Sequence, residues 1–202
     1  MGASTLSLKR NPDKSRQDIL AAAEDMFAEY GPDGVSLAAI AVRAGVSRGL
    51  PSYFFSDKET LYRTVIDRAA GDLKGAILEV MRSEEGTLPA EILLKLIDCY
   101  MDYLAAHPSI VRLLQWNTLE SGAQHKAAWT SGIPRSLLEE TIQLFSKRIG
   151  VDVIGGVDVR DLFVSLVSMC LFPFQMGLAT QDEVSRRKRH IGLIVLRAIG
   201  GL

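Results

Sequence analysis

Apolar side chains recur at steps of three and four along almost the whole chain. No stretch keeps the two-residue alternation of a half-buried strand, so the pattern predicts an all-α protein. The first clear stripe is Ile19, Ala22, Ala23, Met26, Phe27 and Tyr30, one face of a helix that Gly31-Pro32-Asp33-Gly34 stops. Ser36 is placed to cap a short helix whose apolar face is Leu37, Ile40, Ala41 and Ala44, and Gly45 breaks it. Ser47 offers the next cap, for a second short helix running to about Phe54. Ser56-Asp57-Lys58-Glu59 has capping-box spacing, with Ser56 as the cap and Glu59 three residues on. It opens a long helix with Leu61, Val65, Ala69, Leu73, Ala76, Ile77 and Val80 along one side.

The rest of the chain predicts further helices with plain punctuation. A loop over 83–87 precedes a helix over 88–107, which Pro108 ends. Another helix spans 109–119, residues 123–131 fit no element, and a helix covers 134–149. A Gly- and Val-rich link leads to Gly156. An apolar helix over 158–178 follows, which Pro173 should kink or end. Thr180-Gln181-Asp182-Glu183 is a second capping box, opening a last helix to Ala198. The division that follows is a flexible arm over 1–14, a three-helix domain over 15–62 and a larger helical domain over 63–202.

Composition narrows the class. Hydrophobic residues make up 48% of the 202 residues and mean hydropathy is +0.14, enough for a sizeable core. The longest apolar run, Leu162 to Phe174, is 13 residues, short of the roughly 20 that a spanning helix needs. A cytoplasmic protein is expected. Cys99 and Cys170 lie far apart and read as free thiols. His107, His125 and His190 have no metal-ligand spacing, and no nucleophile elbow or phosphate-binding loop is present. The reading is of a non-enzyme that needs no metal and no cofactor.

Candidate chemistry concentrates between Ser36 and Glu59. Two short helices joined by a turn with a central glycine form a helix-turn-helix, whose second helix enters the major groove of DNA. That helix reads Ser47-Arg48-Gly49-Leu50-Pro51-Ser52-Tyr53, with small or polar outer positions. Arg48 has the fork that pairs with a guanine edge, and Ser47 and Ser52 can reach phosphates or bases. Net charge gives no support, because residues 1–62 hold seven Lys/Arg against eight Asp/Glu. The arm through Arg16 nevertheless carries four basic residues against Asp13.

Several segments in order resemble the N-terminal signature of the tetracycline-repressor (TetR) family. They are Ile19-Leu20-Ala21-Ala22-Ala23, Phe27-Ala28-Glu29-Tyr30-Gly31, Ile40-Ala41, Ala44-Gly45-Val46-Ser47-Arg48-Gly49, Tyr53-Phe54-Phe55 and Ser56-Asp57-Lys58-Glu59. The resemblance covers residues 15–63 without gaps. It implies an all-helical homodimer that binds a double-stranded operator and regulates transcription, most often as a repressor, released when a small ligand enters the domain after residue 63. It also implies phosphate contacts at Ser36 and Lys58, and base or phosphate contacts at Ser47, Arg48, Gly49, Leu50 and Tyr53. The family commonly has Leu or Ile where this chain has Pro51, about one turn inside the recognition helix, and often an aromatic at Ser52.

The larger domain names no chemistry of its own. Met101, Trp116, Asn117, Phe145 and Phe163 are the candidates to line an effector pocket, as aromatic, thioether and amide groups on several helices. The alternative is a DNA-binding dimer with no effector, in which these residues only fill a core. Arg186-Arg187-Lys188-Arg189 is a basic run, read as a solvated face beside the apolar stripe Val184, Ile191, Ile194, Val195 and Ala198. Effector, operator sequence and regulated genes are not encoded in these patterns.

Overall fold

The computed structural model describes residues 11–83, 88–120, 135–149, 153–154 and 156–199. The loop expected over 83–87 and the undecided stretch 123–131 fall largely or wholly outside them. Nine helices and one short ladder make up the described residues. They are α1 (Pro12–Tyr30), α2 (Leu37–Arg43), α3 (Leu50–Phe55), α4 (Lys58–Ser83), α5 (Pro89–Ala106), α6 (Pro108–Glu120), α7 (Arg135–Ile149), α8 (Val159–Gln175) and α9 (Gln181–Ile199). The all-α expectation is met. The described residues of the Gly- and Val-rich link pair with those after it in a two-residue antiparallel ladder, β1 (Val153–Ile154) on β2 (Val157–Asp158). Among the described residues no helix is long and apolar enough to cross a membrane.

The chain divides into two compact units, Met1–Ile66 and Asp67–Leu202, and the division falls inside α4. In the first, Ile19, Ala23 and Phe27 of α1, Ile40 and Ala41 of α2, and Leu61 and Val65 of α4 are completely buried. The Phe27 and Tyr62 rings meet edge to face at 5.2 Å. Tyr30, the last member of the α1 stripe, is exposed. The helix begins earlier than the expected arm allows. Asn11 accepts the Asp13 N–H at 3.0 Å as its cap, and Pro12 starts the helix where an N–H is not needed.

In the second unit α5 is central, packed by α6, α8 and α9. Gly192 of α9 allows the close approach, since a Cβ there would stand 2.8 Å from Leu94 Cδ2. The Tyr103 hydroxyl donates to the Ala69 carbonyl at 2.8 Å, tying α5 to α4. Arg148 Nη1 does the same from α7 to the Met81 carbonyl at 3.0 Å. Pro173 stands inside α8, which ends two residues later, at Gln175. The second capping box forms as expected: Thr180 and Glu183 exchange side-chain to backbone hydrogen bonds at 3.4 and 3.2 Å, opening α9. The basic run is not uniformly solvated. Lys188 turns inward, its side chain 18% exposed and its Nζ 2.6 Å from Asp102 of α5.

Candidate nucleic-acid interface

The first unit builds its outer surface on α2, the turn after it and α3. Ser36 caps α2 by accepting the Ala39 N–H at 3.2 Å, as the sequence predicts. The helix closes in a Schellman motif. Val46 N–H reaches the Ala41 carbonyl at 2.9 Å, and Gly45 N–H reaches Val42 at 3.1 Å. Gly45 holds φ 62°, a left-handed angle that favours glycine, so this residue sets the direction in which the chain leaves α2.

Three expectations are corrected here. Ser47 does not cap the next helix. Its carbonyl accepts the Leu50 N–H at 3.0 Å within a longer turn, and α3 begins at Leu50 with Gly49 at the cap position. Pro51 therefore sits in the first turn rather than one turn inside, where its missing N–H deprives the helix of no internal bond. At the next junction Ser56, at φ 62°, ends α3 instead of opening α4. The cap is Asp57, whose carboxylate accepts the Thr60 N–H at 2.7 Å. That bond from the Thr60 amide holds the Asp57 carboxyl below its ordinary range.

The side chains left on the outside are those the sequence singles out. Ser47, Arg48, Gly49, Ser52 and Tyr53 are exposed, with Tyr53 at 80%, while Leu50 is half-buried. Nothing lies within 4 Å of a Cβ placed at Gly49, so the backbone there is open to close approach. Among the described residues Ser47 and Arg48 have no side-chain hydrogen bond or ion pair. Tyr53 leans on Phe54, rings 5.2 Å apart. Among the described residues Lys58 has only a long pair with Asp33, at 3.9 Å. Underneath, Phe55 is buried with the Arg16 guanidinium 5.1 Å from its ring centre. Sequence reasoning assigns Arg16 to a basic arm. Its spacing from Pro12 within the first helix is the signal that places it on α1.

Of the candidates for an effector pocket, the described side chains do not share one cavity. Phe145 and Phe163 meet edge to face at 5.1 Å, and Phe145 is fully buried. Met101, also fully buried, instead faces a cleft of about 330 Å³ with Phe174, Val184 and Arg187. Trp116 is half-buried on α6, and the Asn117 side chain lies outside the described residues. Phe163 also borders a separate apolar cavity with Leu73, Ile77, Tyr100 and Cys170. The sequence does not distinguish Tyr100, because a tyrosine in an apolar stripe looks like any core aromatic.

Comparison with known proteins agrees with this layout. Residues 19–65 match the family described as bacterial regulatory proteins, tetR family. Residues 89–189, half of the chain, match the tetracyclin repressor-like C-terminal domain. The HTH-type transcriptional repressor SCO4008 of Streptomyces coelicolor is 30% identical over 56% of this chain, an alignment spanning 54% of that protein's length. The HTH-type transcriptional regulator RutR of Escherichia coli O157:H7 is 29% identical over 73% of this chain and 68% of its own. Among solved structures, a bacterial regulatory protein in the tetR family from Rhodococcus RHA1 superposes with a TM-score of 0.72. It covers 92% of this chain and 97% of its own at 18% identity, a likeness of fold. On both matched domains, the chain belongs to the TetR family of bacterial transcriptional regulators.

Proposed function

We propose that the chain is a homodimeric repressor that grips its operator through Ser36 and the segment from Ser47 to Lys58, and leaves it when a small molecule enters the larger unit. The observation that carries this reading is the outer surface of the first unit. Arg48, Ser47, Ser52 and Tyr53 are exposed on elements whose own ends are closed by Ser36, the Gly45 turn and Asp57. Exposed side chains on a rigid frame are available to base edges and phosphates. The relatives named above are transcriptional repressors and regulators, which supports the same use of the same surface.

Dimerisation is supported by α8 and α9. Phe172, Leu193, Ile194 and Leu196 are large apolar side chains left exposed there, the kind of surface a second copy covers. Release by a ligand is supported by the apolar cavity walled partly by Leu73 and Ile77 of α4. The same continuous helix begins at Lys58 in the reading unit.

Footprinting on the DNA upstream of the protein's own gene tests the assignment. A protected, pseudo-palindromic site is expected. No protected site at micromolar protein would overturn it. A protected site that no compound in a broad release screen opens would leave a DNA-binding dimer without an effector.

A further inference from the structure

The larger unit holds a partly open cavity of about 60 Å³ between α4, α5, α7 and α8. Its wall is almost wholly apolar: Leu73, Ile77, Phe163 and Leu166 border it, and no charged side chain does among the described residues. Three residues with polar side chains line it. The Thr141 hydroxyl is already engaged, donating to the Leu137 carbonyl at 2.8 Å. The Cys170 thiol is buried, and burial pushes it up to about 12, so it stays neutral. The third is Tyr100. It is 7% exposed, and its hydroxyl has no hydrogen-bond partner among the described residues. Burial likewise pushes the Tyr100 phenol well above its ordinary value, so it remains protonated.

A buried hydroxyl without a partner is costly, and native interiors leave few of them. A lone water is a poor remedy, because an internal water needs two to four polar partners and this wall offers little beyond Tyr100. Resting on the effector reading above, we infer that the cavity selects a compact, uncharged, largely apolar molecule with one carbonyl-type acceptor, which accepts a hydrogen bond from the Tyr100 hydroxyl. A carboxylate or an ammonium is excluded by the wall, which has no countercharge for it. Size also selects. A space of about 60 Å³ exceeds the roughly 10–15 Å³ that holds one water and falls short of the roughly 150 Å³ that takes benzene. Short chains therefore enter with small shifts of the surrounding Leu and Ile rotamers.

The test uses full-length protein with methyl-labelled Leu, Ile and Val, and three probes: 2-pentanone, pentanoate and xenon. The methyl resonances of Leu73, Ile77 and Leu166 report on the cavity directly. 2-Pentanone is expected to shift them, with pentanoate at least about tenfold weaker. Tyr100→Phe is expected to weaken 2-pentanone by about threefold to tenfold, the fold-change of one lost hydrogen bond. Xenon, which needs no acceptor, should shift the same resonances equally in both proteins and so show that the variant keeps the fold and the cavity. Pentanoate binding as well as 2-pentanone overturns the neutral class. Equal 2-pentanone affinity in Tyr100→Phe overturns the role of the hydroxyl. Resonances unmoved by every probe overturn the site itself. Adding 2-pentanone to the operator complex separates the two readings. Binding without release leaves the selectivity standing and removes the effector role.

Discussion

Asp57 and Thr60 are joined by the bond that starts α4: the aspartate carboxylate accepts the threonine amide N–H at 2.7 Å. The bond holds the Asp57 carboxyl below its ordinary range in the folded protein. The unfolded chain returns it to about 3.9. A group depressed on folding contributes stability that is complete above the unfolded value and is lost as pH falls through the folded one. The melting temperature of Asp57→Ala should therefore lie below that of the native protein at pH 7, and the gap should close on acidification below about pH 4. Asp57→Asn keeps a capping oxygen without the charge and should show little of this pH dependence. Thermal melts of the three proteins from pH 7 to pH 2 check it, and a gap constant across that range contradicts it.

Arg48 and Lys58 should fail differently. Arg48→Ala should cost about 1–3 kcal/mol at the specific site and relax preference at one base pair. Lys58→Ala should weaken binding to every sequence and lower the salt slope by about one unit. Fluorescence anisotropy on operator and random duplexes at several salt concentrations separates the two. Unchanged binding by both variants would remove this surface from the interface.

Phe172 and Leu193 are 58% and 56% exposed on neighbouring helices. Charging either, as Phe172→Asp or Leu193→Asp, should convert a dimer to monomer by placing an unpaired carboxylate where apolar surface is covered. Operator affinity should fall with it, because half-sites about one DNA turn apart, 34–36 Å, need two heads. Analytical ultracentrifugation reads the mass. Native protein that sediments as a monomer at micromolar concentration and keeps full operator affinity contradicts the dimer.

Gly192 faces the end of Leu94, a flexible side chain. Gly192→Ala gains about 0.8–1 kcal/mol of helix propensity and needs only a small shift of Leu94, so it should be close to neutral. Gly192→Leu has no such room and should cost about 1–3 kcal/mol by pushing α9 off α5. Urea titrations with matched slopes would measure both.

The helices were legible because burial repeats along them: Ile19, Phe27, Ile40, Leu61 and Val65 form the first unit's core at the spacing the sequence displays. The outer residues of the reading head were legible too, since Ser47, Arg48 and Tyr53 stand where burial would be unfavourable. The junctions were not. Ser56 and Asp57 are both good caps, and only the backbone angle at Ser56, fixed by the packing of α3, decides which of them opens α4. Ser47 and Gly49 compete in the same way, and Pro51 tips the start of α3 toward Gly49. The cavity was the least legible part. Whether the Tyr100 hydroxyl finds a partner depends on α4, α7 and α8 together, and no local pattern around residue 100 records it.

Pro51 in the first turn of α3 has a consequence for the speed of reading. A proline there has few backbone choices even in the unfolded chain, and it is buried against the unit that carries it. The six-residue helix is therefore already shaped before it meets DNA. Ordering that many residues at the moment of contact would slow productive encounters and weaken each of them. On the proposed interface, a pre-shaped helix can test and discard wrong sequences while sliding, with only side chains such as Arg48 left to settle at each position.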